Sequence, residues 1–331
     1  MMSSFGYKRA SEQDWQQAEQ LLRQSKHILA ITHVSPDGDA IGSLLGFTHA
    51  MRTMGKTVIP ACQDKPQLKF AYLSGLNEIR TKVNGNFDLV VGIDSSDLKR
   101  LGSIYQNDLH GHLPILVFDH HITNSYYSNV NIVIGEVASA AEIILQLLQR
   151  LKIAISPEIA SPLLTGLVSD TQAFRTSSTT ADSMAAAMIL MKAGAPLMEI
   201  INKAVVTQPF DNIRVLGEGI RNTKMEDGLA YATISRKLRQ ELGLKDDRGD
   251  GGLVSVLINT HEAKIAAVFT ENPEGKIEVS MRSRPGYDVS QVALEFGGGG
   301  HAPAAGCTLP GPMRDVVNQV VPQLRRVIAE A

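Results

Sequence analysis

The sequence is poor in cysteine, with only Cys62 and Cys307 in 331 residues. Two distant thiols argue against a disulfide-stapled secreted framework and a Cys-ligated structural zinc site, and they fit a reducing cytoplasm. An excess of either charge is also missing. With 32 Lys and Arg against 34 Asp and Glu, the formal net charge is −2. That excludes a chain whose whole surface grips nucleic acid, though not a local basic groove. No apolar run approaches the roughly 18 residues of a membrane span. The opening segment, MMSSFGYKRASEQDW, carries charge but no apolar stretch, so it does not read as a secretory signal. Internal repeats and low-complexity segments are missing too. What is present is a 44% hydrophobic composition, enough for a sizeable core. At about 150 residues per domain, the length suggests two domains. The expectation is a globular, cytoplasmic protein with no membrane partner.

Apolar runs alternate with helical periodicity through the first 190 or so residues. HILAIT (27–32), KTVIPAC (56–62), FDLVVGID (87–94) and PILVFD (114–119) read as short strands. Trp15, Ala18, Leu21 and Leu22 mark a helix over 12–25. Ile41, Leu44, Leu45, Met51 and Met54 mark one over 40–54, which Gly55 stops. Ser139-Ala140-Ala141-Glu142 has the form of a capping box ahead of a helix over 140–151. This alternation predicts an α/β domain with a doubly wound, mainly parallel sheet over residues 1–192. Around Gly194-Ala195-Pro196 the pattern changes to two helices with a polar break at Thr207-Gln208-Pro209, a helical connector over 193–225. Residues 226–331 then alternate strand-like segments (231–235, 263–269, 276–282) with helix candidates near 250–259, 289–296 and 311–329. They predict a smaller mixed α/β domain.

Three of the predicted strands end in acid or imidazole. His33, Asp37 and Asp39 follow the first, Asp94 ends the third, and Asp119, His120 and His121 end the fourth. Ligands of an open parallel sheet bind at the carboxyl ends of its strands, so these side chains have a common meeting place. Asp170, after the apolar run LLTGLV (163–168), is a further candidate. A single Asp at a strand end is commonly a helix cap, and Asp39 could cap helix 40–54 in that way. His27, His49, His110, His112 and His261 stand apart from the strand ends and are read as ordinary polar residues. Imidazole with carboxylate suits Mn, Fe, Zn or Co. His33, Asp37, Asp39, Asp94, His120 and Asp170 are enough for two cations with one carboxylate bridging. Such a pair clamps the attacking and leaving oxygens of a phosphoryl displacement. Gly38 is expected to let the loop turn tightly, so that both neighbouring carboxylates point inward.

His33-Val-Ser-Pro-Asp37-Gly-Asp39-Ala-Ile-Gly-Ser43, then Asp94, then Asp119-His120-His121, then Gly-Leu-Val-Ser-Asp170-Thr, resemble the four ordered motifs of the DHH phosphoesterase superfamily. Gly-Gly-Gly-Gly-His301-Ala-Pro-Ala-Ala-Gly306 is similar to the hallmark of its associated C-terminal domain. The resemblance implies His33, Asp37 and Asp94 on one metal, and Asp39, Asp94, His120 and Asp170 on the other. It implies His121 on the scissile phosphate with Asp119 behind it. The implied ions are two Mn²⁺ per chain, with Mg²⁺ or Co²⁺ as substitutes. Ser35 stands where many members carry Asn, a departure that touches no ligand.

The glycine run and the Met281-Arg282-Ser283-Arg284 segment are open to two readings each. Gly297–Gly300 is either a hinge or a backbone cradle for an anion, with His301 on the nucleotide. Arg282 is either a solvated strand end or a phosphate ligand. The resemblance favours the second reading in both cases and implies Arg282, Ser283, Gly298, Gly299, Gly300 and His301 as substrate-binding residues. The stand-alone size resembles the bacterial oligoribonuclease and adenosine 3′,5′-bisphosphate phosphatase subgroup (nanoRNase type), with the site in a cleft between the domains. The implied substrates are short single-stranded RNA or DNA oligonucleotides or a nucleotide bisphosphate, and a homodimer is a candidate assembly. Cyclic or linear di-adenosine phosphates are an alternative substrate class, and a non-catalytic nucleotide-binding regulator is an alternative of another kind.

Overall fold

The computed structural model describes residues 10–244 and 249–331. The chain divides into two units between Thr207 and Gln208. The segment 193–225, expected as a connector, falls on both sides of that division.

The first unit is built on five parallel strands: β1 (His27–Thr32), β2 (Thr57–Ala61), β3 (Leu89–Ile93), β4 (Ile115–Asp119) and β5 (Val130–Val133), in the order β2-β1-β3-β4-β5. Helices α1 (Glu12–Gln24), α2 (Gly38–Thr53), α3 (Asn107–His110), α4 (Ala140–Arg150), α5 (Pro157–Asp170), α6 (Ala181–Lys192) and α7 (Leu197–Ile201) accompany the sheet. The strands read as continuous apolar runs because both faces are covered. Ile28 and Ala30 join the core that includes α1, α2, α4 and α5, whereas Leu29 and Ile31 join a second cluster with Leu101, Ile104 and Val117. The strand order reverses between β1 and β3, so a crevice at their carboxyl ends is the switch point at which such sheets bind ligands.

Helix α2 meets α5 through glycine. A Cβ at Gly42 would run into the Pro162 carbonyl and lie 2.7 Å from the Gly166 nitrogen. At Gly166 it would lie 2.5 Å from Asp39 Oδ1 and 2.9 Å from Ala141 Cβ. Gly38 obeys the same constraint rather than the tight turn expected for it. It is the first residue of α2, its φ is not positive, and a Cβ there would collide with Ser169.

The second unit holds a mixed six-stranded sheet in the order β10-β11-β9-β8-β7-β6. Its strands are β6 (Lys224–Glu226), β7 (Leu229–Ile234), β8 (Ile265–Glu271), β9 (Lys276–Ser283), β10 (Gly299–His301) and β11 (Ala304–Pro310), of which only β7 and β8 run parallel. Helices α8 (Phe210–Arg221), α9 (Arg236–Glu241) and α10 (Leu253–Ile258) precede β8, α11 (Ser290–Glu295) precedes β10, and α12 (Met313–Glu330) follows β11. Val215, Leu253 and Leu257 pack on one face of the sheet, and Val292, Val316, Val320 and Leu324 on the other. Part of the glycine run is thus an edge strand. Gly299, Gly300 and His301 pair antiparallel with Gly306, Ala305 and Ala304.

No single helix among the described residues is long and apolar enough to cross a membrane. The box expected at α4 forms only by half. Ser139 Oγ accepts from Glu142 N at 3.4 Å, but the Glu142 carboxylate accepts from Ala138 N at 3.1 Å rather than from Ser139 N. Its other bond, from Ser183 Oγ at 2.9 Å, ties α4 to α6.

Candidate metal centre

Eight of the expected site residues converge at the carboxyl ends of β1, β3 and β4. His33 follows β1, Asp94 follows β3, and Asp119 ends β4 ahead of His120 and His121. Asp37 and Asp39 come from the start of α2, and Asp170 is the last residue of α5. Asp94 lies at their centre. Its Oδ2 is 3.5 Å from His33 Nε2, and its Oδ1 is 3.5 Å from His120 Nε2 and 3.6 Å from His121 Nδ1. His33 Nε2 also lies 3.9 Å from Asp37 Oδ1. On the other side, His120 Nε2 lies 3.3 Å from Asp170 Oδ2 and 3.9 Å from Asp39 Oδ2. Two triads result, His33–Asp37–Asp94 and Asp39–His120–Asp170, and each of Asp94's oxygens faces the histidine of one of them.

Local structure holds each group in place. His33 Nδ1 lies 2.7 Å from the Val34 carbonyl. A carbonyl only accepts, so Nδ1 carries the proton and Nε2 of the neutral ring is left as the ligand atom. Asp37, not Asp39, is the N-cap of α2, accepting from Asp39 N at 3.1 Å and Ala40 N at 3.0 Å. Asp39 is fully buried and is held from a distance. Its carboxylate accepts from Ala140 N (2.5 Å) and Ala141 N (3.1 Å) at the start of α4, and from Ser43 Oγ (2.9 Å). Asp94 has φ +56°, a left-handed conformation that Asp tolerates better than most residues. Ser35 is left-handed as well, at φ +53°, a conformation in which Asn is more at ease than Ser.

Behind His121 is a relay that reading the sequence had only half supplied. His121 Nδ1 donates to Asp119 Oδ1 at 2.7 Å, and Asp119 Oδ2 accepts from Asn124 Nδ2 at 2.6 Å. Asn124, buried and bonded also to the Ser95 carbonyl at 3.2 Å, was not singled out from sequence. Its only signal was a polar residue three positions past His121. Beyond Asp170, the residues Gln172, Ala173 and Phe174 form one left-handed turn at φ +47°, +60° and +64°. Thr171 Oγ1 holds that strained turn, accepting from Phe174 N at 3.0 Å and donating to Leu167 O at 2.6 Å.

The donor set fits divalent cations. Asp94 Oδ1 is buried with no hydrogen-bond partner, a costly state unless something else satisfies it. The nitrogen–oxygen separations among the six candidate ligands, 3.3 to 3.9 Å, are longer than ordinary hydrogen bonds. They match two ligand atoms that each lie about 2.1 Å from a shared ion. The electrostatics agree. Burial alone would lower the His33 pKa, but Asp37 and Asp94 outweigh it and raise the value to about 10. Against its burial, His120 is raised well above the usual imidazole range by Asp94, Asp170 and Asp39. Burial and the neighbouring Asp94 charge raise Asp39 to about 7, while burial and Asp39 raise Asp170. Burial opposes ionisation of Asp94, yet the His120 and His33 rings hold it below the usual carboxylate range. Protons thus gather where positive charge is wanted, and a dication competes with them for the same atoms.

The remaining six expected residues lie in the second unit. Arg282 on β9 pairs with Ala304 on β11, which pairs with His301 on β10, so one row of the sheet carries all three. Arg282 Nη1 donates to the Met281 carbonyl at 3.0 Å. The buried Ser283 directs its hydroxyl at the carbonyls of Tyr287 (2.6 Å) and Ala302 (3.0 Å), so its proton is engaged in tying β9 to the hairpin turn. Gly298 lies against β11, where a Cβ would strike the Gly306 carbonyl.

Residues 27–167 match the N-terminal domain of the DHH family, and residues 246–330 match the DHHA1 domain. A bifunctional oligoribonuclease and PAP phosphatase, NrnA, from Thermus thermophilus is 30% identical over 289 residues, 86% of this chain and 84% of the relative. This chain belongs to the DHH family. A second DHH relative with the same name, from Mycoplasma genitalium, is 24% identical and covers 92% of this chain and 95% of its own length. The crystal structure of an exopolyphosphatase-related protein from Bacteroides fragilis has the same fold, with a TM-score of 0.87 at 23% identity over 97% of this chain and 96% of that one. In this DHH chain the family's name-giving triplet is Asp119-His120-His121, the segment that supplies one histidine to the second triad and the other to the Asp119–Asn124 relay.

Proposed function

We propose that this chain is a metal-dependent phosphoesterase of the cytoplasm. It hydrolyses short single-stranded RNA or DNA oligonucleotides to mononucleotides, and adenosine 3′,5′-bisphosphate to AMP. The observation that carries this reading is the pair of triads, His33–Asp37–Asp94 and Asp39–His120–Asp170, with Asp94 facing the histidine of each, in a DHH-family chain whose relatives are named oligoribonuclease and PAP phosphatase. In this reading His33, Asp37 and Asp94 hold one Mn²⁺, and Asp39, Asp94, His120 and Asp170 hold the other. Two such ions, when bound, would supply acidification of water and neutralisation of charge on the phosphoryl oxygens.

The chain's own residues do the rest. Val34, Ala140 and Ala141 fix the ligands through backbone groups, so little reorganisation accompanies the reaction. The Asn124–Asp119 relay engages His121 Nδ1 and leaves Nε2 as the atom that hydrogen-bonds the scissile phosphate. Arg282, His301 and the backbone of Gly298, Gly299 and Gly300 hold the remainder of the nucleotide, with Ser283 supporting that hairpin.

The test is a turnover panel with Mn²⁺ on one sample of measured metal content. It contains short and long RNA and DNA, adenosine 3′,5′-bisphosphate and cyclic di-adenosine monophosphate. Release of mononucleotides from the short oligomers and of phosphate from the bisphosphate is expected. Turnover of the cyclic dinucleotide alone would replace the substrate class. Bound metal with no turnover of any substrate would replace the enzyme with a nucleotide-binding regulator.

A further inference from the structure

His33 and Asp37 belong to one triad, and the loop that joins them carries a strained residue midway. Ser35 has φ +53°, a conformation that Asn and Asp ease by a local side-chain bond. The Ser35 hydroxyl forms no hydrogen bond among the described residues, so the loop does not hold itself in this way. It is held from outside. Cys62 Sγ donates to the His33 carbonyl at 3.3 Å, and Val34 N donates to the Arg100 carbonyl at 2.8 Å. Ser35 N donates to Asp64 Oδ2 at 2.7 Å. Gln63 Oε1 accepts from Ser103 N at 2.9 Å and so braces the 3₁₀ segment Leu98–Ile104 that carries Arg100. Three consecutive side chains after the edge strand β2 therefore converge on this loop. Of their bonds only that of Asp64 is charge-assisted, and it takes the amide of the strained residue itself. Asp64 belongs to neither triad.

We propose that Asp64 is the positioning residue of the first ion site. By bonding the Ser35 amide it keeps the left-handed turn that aims His33 and Asp37 at one ion. The inference rests on the reading of His33, Asp37 and Asp94 as ligands of that ion. His33 leaves the end of β1 and Asp37 opens α2, so a turn relaxed at Ser35 shifts both approaches to the site. Their ligand atoms now lie 3.9 Å apart, and the Asp37 side chain is 58% exposed, so packing does little to fix it. The second triad has no such dependence, because Ala140 N and Ala141 N hold Asp39. Loss of Asp64 is therefore felt by one ion of the two.

Two measurements on the full chain test this. Titration of Mn²⁺ into protein stripped by a chelator reads the ion sites, and hydrogen exchange of residues 33–37 in the stripped protein reads the loop without any ion. Asp64→Ala should weaken one ion by about 10- to 100-fold, the range for a group that orients a metal ligand, and leave the other unchanged. Its Ser35 amide should exchange about tenfold faster or more. The melting curve should not move, because Asp64 lies at the surface. Asp64→Asn keeps an oxygen that accepts the amide proton and should behave as wild type. Adding Ser35→Asn to Asp64→Ala should restore most of the lost affinity, because Asn holds the turn more readily. Unchanged affinity and exchange in Asp64→Ala overturn the proposal. So does equal weakening of both ions, a loss in Asp64→Asn as large as in Asp64→Ala, no relief from Ser35→Asn, or a melting curve that falls in step with affinity. A wild-type chain that binds no pair of ions overturns the reading of the centre instead, and the exchange of Ser35 still decides whether Asp64 holds the turn.

Discussion

In the first unit, reactive side chains are anchored from behind. His33 is held by a carbonyl, Asp39 by two amides and a hydroxyl, and His121 by a carboxylate that an amide side chain holds in turn. In the second unit, Arg282 keeps one bond to its own neighbour's carbonyl, and His301 stands exposed on an edge strand. The first arrangement fixes positions before any substrate arrives, as charge stabilisation requires. The second leaves donors free to adapt, as the proposed contact with a nucleotide of variable base and length would require. Damage to the two units should therefore differ in kind: lost turnover in one, lost affinity in the other.

The largest effect is expected at Asp94. Asn fits the left-handed backbone at φ +56° but removes the charge that serves both triads. Activity of Asp94→Asn should fall below about a thousandth of wild type with the melting curve retained. Near-normal activity would dissolve the distinction between the units at its root. Next come the paired histidines. His120→Ala should bind one ion fewer. His121→Ala should keep its metal yet lose about 10²- to 10³-fold in kcat, the usual range for one donor aimed at transition-state charge. Metal analysis of both proteins decides, and equal loss of metal would show that the two rings share one role.

A smaller effect is expected across the divide. Arg282→Ala should raise KM for oligonucleotides by about tenfold and leave kcat nearly unchanged, as for a contact equally strong in ground and transition states. An activated phosphodiester too small to need the second unit should be hydrolysed as well as by wild type. Slowing of both substrates alike would mean that Arg282 acts on the chemistry itself. The smallest effects compare two glycines. Gly166→Ala forces a methyl against Asp39 and Ala141 and should cost about 1–3 kcal/mol by thermal melting. Gly217→Ala, in helix α8 with nothing within 4 Å, should stabilise by about 0.5–1 kcal/mol.

The sheet of the first unit was legible because parallel strands buried on both faces leave unbroken apolar runs, and the residues that end them fall at one edge. β5 was missed because Asn131 interrupts a run of only four residues. β10 and β11 were missed because glycine and alanine carry little strand signal. The convergence of His33, Asp94 and His120 follows from strand order and could be anticipated. The grip of α4's first amides on Asp39 could not, because residues 39 and 140 meet only after the helices pack. Gly38 shows the same limit. Sequence reveals that a side chain is absent, but not whether the absence serves a turn or a neighbouring helix.

Because Gly42 and Gly166 bring the backbones of α2 and α5 into contact, neither helix can swing aside without parting backbone from backbone. Amides along that contact should exchange with solvent only when the unit opens as a whole. Asp39 rides on one helix and Asp170 on the other. The spacing between these two carboxylates therefore has the lifetime of the folded state itself, rather than that of a loop.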